Sequence, residues 1–172
     1  VGERLVKLTL VADNTTSPNW GCRATSLALT RLLASKHEIV AAIPRKLLAM
    51  PLTTSRLLSE SVHRHVLRYS RILDRHLPGQ SLAGRTAALI GTHVPVTHDI
   101  EANADALQDL YGHSVKATQI IDRINVADAI VVNGEGEMIF STPARDNLLH
   151  TLTIMALAIR LGKKVFYANG MV

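Results

Sequence analysis

Short apolar runs alternate with amphipathic stretches along this chain, and polar turns separate them. The runs are rich in Val, Ile, Leu and Ala, which is typical of strands that are buried on both faces of a sheet. They span residues 4–12, 38–43, 129–132 and 164–168. Polar and glycine-containing turns follow most of these runs, so each strand is predicted to end sharply.

The stretches between the runs carry apolar residues at every third or fourth position, as an amphipathic helix does. They span residues 24–34, 100–111, 117–125 and 143–161. Asn19, Asp99 and Thr142 are predicted N-caps, and Gly112 and Gly162 are predicted helix stops. The alternation predicts an α/β fold with an open, mostly parallel, doubly wound (Rossmann-like) sheet.

A helical insertion around residues 54–78 interrupts the alternation. Its apolar positions share one face, and its arginines lie mostly opposite. The apolar positions are Leu58, Val62, Val66, Tyr69, Leu73 and Leu77. Between residues 56 and 85 there are six arginines and three histidines but only two carboxylates. This basic surface either attracts an anionic partner or is a solvated helix face. Aromatic stacking residues and a nucleic-acid motif are missing, so no nucleic-acid binding is expected. Beyond the insertion, residues 86–90 are a candidate edge strand.

Composition narrows the setting. The 172 residues match one domain, and a hydrophobic fraction of 47% with only 3% aromatic residues predicts an aliphatic core. No window approaches the roughly 18 apolar residues of a membrane helix, and no basic-then-apolar leader opens the sequence. A lone Cys22 excludes an internal disulfide and fits a reducing compartment. We therefore expect a cytoplasmic domain with at most peripheral membrane contact. Because the chain starts at Val1 and stops at Val172, we also expect a missing C-terminal domain.

The first candidate site lies at the start of the first helix, in Asn19-Trp20-Gly21-Cys22-Arg23. Backbone N–H groups and the helix dipole there suit a phosphate or carboxylate, and Arg23 would add a charged contact. The alternative is an ordinary capped turn. Cys22 is either a reactive thiolate at a helix N-terminus or, more simply, a small packed side chain.

The second candidate site follows the strand at residues 129–132, in Asn133-Gly134-Glu135-Gly136-Glu137. Its glycines would let a ligand approach the backbone, and Glu135 would bind a sugar hydroxyl, accept a proton or cap the next helix. Arg145 and Asn147 either line the same crevice or face water. Carboxyl ends of parallel strands meet at one edge of a sheet, so both sites are expected together there.

Metal and cofactor motifs are not found. His63 and His65 fall on different helix faces, His93 and His98 are predicted to lie in a loop, and Cys22 has no cysteine partner, so no metal site is expected. Neither the dinucleotide fingerprint nor the phosphate-loop motif occurs, and no cofactor is expected.

Both candidate sites resemble motifs of the polysaccharide pyruvyl transferases. Residues 19–29, from Asn19-Trp20-Gly21-Cys22-Arg23-Ala24 onward, resemble the family's first turn, and Val131-Val132-Asn133-Gly134-Glu135-Gly136 resembles its second glycine turn. The closing run from Lys164 to Gly170 also fits. The resemblance covers the whole chain, as a single Rossmann-like domain (1–172) that forms the N-terminal half of a two-domain, glycosyltransferase-B-like enzyme. Cys22 stands where many members carry Asp.

The resemblance implies transfer of a pyruvyl group from phosphoenolpyruvate to a sugar hydroxyl of a cell-surface glycan or its lipid-linked or nucleotide sugar precursor. It implies that Glu135 is the catalytic residue facing the acceptor, while the fragment alone lacks the phosphoenolpyruvate-binding half. The substrate-binding residues are then expected to be Asn14, Asn19, Trp20, Gly21, Arg23, Asn133, Gly134, Gly136, Arg145 and Asn169. Two alternatives stay open: a glycosyltransferase of the same architecture that uses a nucleotide sugar, and a non-enzymatic domain that binds an anionic partner.

Overall fold

The computed structural model describes residues 4–48, 52–53, 65, 69, 72, 93–94, 96–135 and 146–168. The strands are β1 (Lys7–Asp13), β2 (Glu38–Pro44), β3 (Leu52–Thr53), β4 (His93–Val94), β5 (Ala129–Asn133) and β6 (Lys164–Ala168). The helices are α1 (Trp20–Ala34), α2 (Arg45–Leu48), α3 (Ile100–Asp109), α4 (Val115–Asn125) and α5 (Asp146–Arg160).

Four strands form one parallel sheet in the order β2-β1-β5-β6. The short β3 and β4 pair with each other in an antiparallel fashion, apart from this sheet. The predicted α/β fold with an open, Rossmann-like sheet is confirmed. All five residues of β5 are buried, as expected for a central strand that is covered on both faces.

Alternate residues of the strands pack on opposite faces of the sheet. On the front face, Leu8, Leu10, Ala129 and Val131 form a small cluster against Leu33 of α1. The back face carries the larger core, in which β1, β2 and β5 pack against α3, α4 and α5. Its most deeply buried side chains include Val11, Ile43, Ile120, Ile124, Ile130, Val132, Ile154 and Leu157.

The two faces define a topological switch point. β1 connects to β2 through α1 on the front face, whereas β5 connects to β6 through α5 on the back face. The chain therefore leaves the neighbouring strands β1 and β5 in opposite directions. A crevice opens between the carboxyl ends of such strands in open α/β sheets, and ligands bind there.

Local signals placed most helix ends correctly. The Asp99 side chain accepts a hydrogen bond from the Ala102 N–H at 3.0 Å and caps α3. Gly112 and Gly162 adopt φ values of 74° and 72° just beyond α3 and α5, where a left-handed residue ends a helix. None of the helices that the structure describes is long and apolar enough to cross a bilayer.

Some predictions differ from the structure. His93, predicted to lie in a loop, belongs to the short strand β4, because it pairs with Thr53 of β3. The sequence around His93 gives no local signal of this distant pairing. In the predicted insertion His65, Tyr69 and Ile72 are helical, but Tyr69 is 63% exposed, so the apolar face is not buried at that residue. The arginines of that segment, residues 86–90 and the Thr142 cap lie outside the described residues.

Asp128 ties the amino ends of β1 and β5 together. Its carboxylate accepts the Lys7 N–H at 2.9 Å, and its own N–H donates to the Lys7 carbonyl at 2.8 Å. The hydrogen bond from the Lys7 N–H to the carboxylate lowers the pKa of the Asp128 carboxyl, and the nearby Arg4, Lys7 and Lys163 charges lower it further.

Candidate functional site

The two candidate turns meet at the switch point, and a buried serine joins them. The Ser26 hydroxyl on α1 accepts a hydrogen bond from the Asn133 side-chain amide at 2.7 Å and another from the Asn14 N–H at 3.2 Å. All three residues are at most 3% exposed. One hydroxyl therefore connects the ends of β1 and β5 to the first half of α1.

Glu135 makes a second connection across the crevice. Its carboxylate contacts the hydroxyl of Thr25, one residue before Ser26. The same hydroxyl lies 3.0 Å from the Gly21 carbonyl and 3.1 Å from the Cys22 carbonyl. A hydroxyl has a single proton to donate, so these acceptors compete for it. Thr25 can release Glu135 and still keep a hydrogen bond within its own helix.

The amino end of α1 is capped by Asn19. Its side-chain oxygen accepts the N–H groups of Gly21 at 2.9 Å and of Cys22 at 3.3 Å, which confirms the predicted N-cap. This oxygen occupies the position that an anion would take against those two donors. An anion at this helix end would have to displace the Asn19 side chain or bind beside it.

Trp20 and Arg23 form an exposed platform at the same helix end. The Arg23 guanidinium carbon lies 4.0 Å from the centre of the Trp20 ring, which is cation–π geometry. Trp20 is 76% exposed. An aromatic face held by a stacked arginine, next to the crevice, offers a flat apolar surface and a positive charge to a ligand.

Gly134 has a structural reason to be glycine. A Cβ at this position would collide with the phenol ring of Tyr167 on β6. The Gly134 N–H also donates to the Ala168 carbonyl at 2.8 Å, so the turn continues along β6. The side-chain space at Gly134 is filled by Tyr167, and any approach of a ligand to this backbone has to avoid that ring.

Strain and an unpaired donor mark the end of β1. Ala12 adopts φ 58°, in the left-handed region that a residue with a Cβ rarely enters, and the pairing with β2 shifts register there. Two residues on, Asn14 is 2% exposed, and its side-chain nitrogen has no hydrogen-bond partner in the structure. Strain and unsatisfied buried donors are both concentrated at functional sites in proteins.

The cavity in this crevice is small. It holds about 10 Å³ and is lined by Leu10, Asp13, Ser26, Leu29, Thr30 and Asn133. That is the size of roughly one water molecule. The side chains that line this cavity therefore leave no room in it for a ligand larger than water.

Sequence reasoning missed Thr25 and Ser26 beside these turns, and Lys116 on α4. Thr25 and Ser26 read as ordinary helix residues, because their partners lie more than a hundred positions away along the chain. Lys116 is 2% exposed at the start of α4; its ammonium donates to the Leu48 carbonyl at 3.0 Å and lies 3.3 Å from the His150 Nε2 atom. No local pattern distinguishes such a buried lysine from a solvated one.

Three expected substrate-binding residues, Gly136, Arg145 and Asn169, lie outside the described residues. The described part of the chain contains no group of three or more His, Cys, Asp or Glu side chains arranged to hold a metal ion. The sequence matches no protein-family model, no curated protein and no solved structure.

Proposed function

We propose that this domain is the acceptor-binding half of a cytoplasmic pyruvyl transferase, which moves a pyruvyl group from phosphoenolpyruvate to sugar hydroxyls of a glycan or glycan precursor. The observation that carries the proposal is the meeting of two turns at the switch point. The residues that resemble the transferase motifs lie on neighbouring elements there, with Glu135 in contact with Thr25. A shared acceptor site requires the two motifs to be neighbours, and the order of the strands meets that requirement.

Glu135 is the proposed catalytic residue. Formation of a pyruvate ketal joins two acceptor oxygens to C2 of phosphoenolpyruvate, breaks the C2–O bond to phosphate and protonates the methylene carbon. Both hydroxyl protons are accounted for: one proton is added to the methylene carbon, which becomes a methyl group, and the other leaves with inorganic phosphate. A carboxylate that already accepts a hydrogen bond from a hydroxyl is suited to orient the acceptor and take its proton.

The rest of the crevice would position the acceptor. Trp20 and Arg23 would supply an exposed flat face and a charge at the amino end of α1. Asn133 and Ser26 hold the β5 turn against α1 and so fix the height of Glu135. The phosphate-bearing substrate is assigned to the expected second domain.

The experiment is a release assay on the full-length protein. Phosphoenolpyruvate and a panel of glycan acceptors are expected to release inorganic phosphate and add a pyruvyl mass to the acceptor. Release of a nucleotide from a nucleotide sugar, with no phosphate from phosphoenolpyruvate, would instead identify a glycosyltransferase. Activity with neither donor would leave an anion-binding role and overturn the proposal.

Replacement of Glu135 tests the residue assignment. Glu135→Gln keeps the size of the side chain but removes the charge, and we expect kcat/KM to fall roughly 100-fold or more. Glu38→Gln, at the amino end of β2, is the matched control and should retain full activity. Equal activity of the two variants would remove Glu135 from the mechanism, even if the transferase activity itself is present.

A further inference from the structure

The front face of the sheet is only partly covered by the described residues. α1 packs against it beside β2, and a groove of about 600 Å³ lies between α1, the residues before β1 and the exposed side chain of Phe166 on β6. Its floor is formed by alternate residues of three strands. They are Leu8, Ala129, Val131, Phe166 and Ala168. Leu33 and His37 line one side, and Arg4, Leu5 and Val6 line another.

The size and lining of this groove match those of a ligand site. Sites for small molecules typically occupy roughly 300–1,000 Å³ and are mostly apolar with a few polar groups. Phe166 is 53% exposed although it pairs with the buried Val131 of β5, and Leu5 is 55% exposed. Parallel sheets are normally covered on both faces, so an apolar occupant would gain free energy here.

The charges at the mouth favour an anion. The amino ends of the four parallel strands are mainly basic. Counting the first residue of each strand and the three residues before it, these ends carry five basic side chains and two acidic ones. They are Arg4, Lys7, Lys36, Lys163 and Lys164 against Glu38 and Asp128. Arg4 and Lys164 line the groove itself, and Asp128 is its only carboxylate among the lining residues. Arg4 lies 3.6 Å from Asp128, which leaves Lys164 as the uncompensated cation of the lining.

We propose that this groove binds a free single-chain amphiphile with an anionic head group, such as an alkyl phosphate or a fatty acid. The alkyl chain lies on the floor between Leu33 and Phe166, and the head group sits at the amino ends of the strands beside Lys164 and Arg4. The lining of this groove shares no residue with the small cavity beside Ser26, and the proposed head-group position is at the opposite ends of the strands from Glu135. The binding site therefore stands whether or not the transferase function holds.

Calorimetric titration with dodecyl phosphate, below its micelle-forming concentration, tests the proposal. Saturable binding of one molecule per chain is expected. Decyl phosphate should bind roughly fifteenfold more weakly, the effect of removing two buried methylene groups. Dodecyltrimethylammonium, which has the same chain and a cationic head, should bind at least about tenfold more weakly. Equal affinity for both head groups would overturn the charge assignment.

Paired variants locate the site. Phe166→Glu places a carboxylate on the groove floor and should weaken binding at least about tenfold, because it removes apolar contact and repels the anion. Leu32→Glu is the matched control: Leu32 is an exposed apolar residue of α1, 68% accessible, and it does not line the groove. In the same way Lys164→Glu should weaken binding, whereas Lys46→Glu, on α2 beyond the carboxyl end of β2, should not.

Other occupants give different results. If a second copy of the chain covers the groove, light scattering will show a dimer that Phe166→Glu converts to a monomer, and dodecyl phosphate will not bind. If the surface instead rests on a membrane, the chain will sediment with phosphatidylglycerol vesicles but not bind monomeric dodecyl phosphate. Either outcome, or equal binding by Phe166→Glu and Leu32→Glu, overturns the proposal.

Discussion

Replacement of Ser26 by alanine tests whether its hydroxyl holds the two turns together. Ser26 is 2% exposed and accepts hydrogen bonds from the Asn133 amide at 2.7 Å and the Asn14 N–H at 3.2 Å. Alanine fits the same space but leaves both buried donors without this acceptor. Each buried donor that loses its partner costs about 1–3 kcal/mol, so Ser26→Ala should lower the free energy of unfolding by about 2 kcal/mol or more. That is a large fraction of the roughly 5–15 kcal/mol that stabilises a typical domain.

Urea unfolding, followed by circular dichroism, measures this loss. Ser35→Ala is the matched control, because the Ser35 hydroxyl donates to the Leu32 carbonyl at 2.7 Å in an exposed position at the end of the same helix. It should change the unfolding free energy by no more than about 0.5 kcal/mol. The double variant Ser26→Ala/Asn133→Ala should cost less than the sum of the single changes, by about 0.5 kcal/mol or more, because both changes remove the same hydrogen bond between Ser26 and Asn133. Equal midpoints for Ser26→Ala and Ser35→Ala would refute the reasoning.

Three further changes probe other parts of the fold. The hydrogen bond from the Lys7 N–H lowers the pKa of Asp128 in the folded state, so the stability that this carboxylate contributes is present above its unfolded pKa of about 3.9 and is lost as pH falls through the folded pKa. The urea midpoint of Asp128→Asn should therefore fall less between pH 6 and pH 2 than that of the wild type, and parallel plots of midpoint against pH would contradict this. In thermal unfolding, Gly134→Ala should destabilise the domain by about 1–3 kcal/mol, because the added Cβ collides with the Tyr167 ring. In a Tyr167→Ala background the loss should be under about 1 kcal/mol, and the same loss in both backgrounds would rule out the collision. Tyr111 donates a hydrogen bond to the Asp122 carboxylate at 2.8 Å, which raises the pKa of the Tyr111 phenol. Asp122→Asn should therefore lower that pKa in an NMR titration, and an unchanged pKa would exclude the contact in solution.

The sequence predicted those features whose causes are local. Asn19 and Asp99 cap helices with side chains that accept hydrogen bonds from N–H groups two or three residues ahead. The apolar runs of β1 and β5 can be recognised in the sequence because both faces of these strands are buried. The positions of the strand ends follow from the same signals. Hence the fold class and the location of both turns follow from the sequence alone.

Features that depend on distant partners could not be predicted in this way. The role of Ser26 needs Asn133, which lies 107 positions away, and the glycine at 134 is required by Tyr167 in the next strand. The strain at Ala12 arises from a register shift against β2, which no single segment encodes. The groove on the front face is equally a tertiary property, because the apolar residues of its floor read locally as ordinary core.

The contact between Thr25 and Glu135 explains how a filled crevice can still serve a ligand. Within the domain, the Glu135 carboxylate accepts a hydrogen bond from a hydroxyl, and Thr25 has the Gly21 carbonyl at 3.0 Å as a second acceptor. Under the proposed function, an acceptor hydroxyl replaces the threonine hydroxyl at Glu135, and the threonine proton turns to its own helix. One hydroxyl-to-carboxylate hydrogen bond is exchanged for another of the same kind, so the net cost of opening the site is small. The crevice then needs no large cavity at rest, because the group that fills it has the chemistry of the substrate that would displace it.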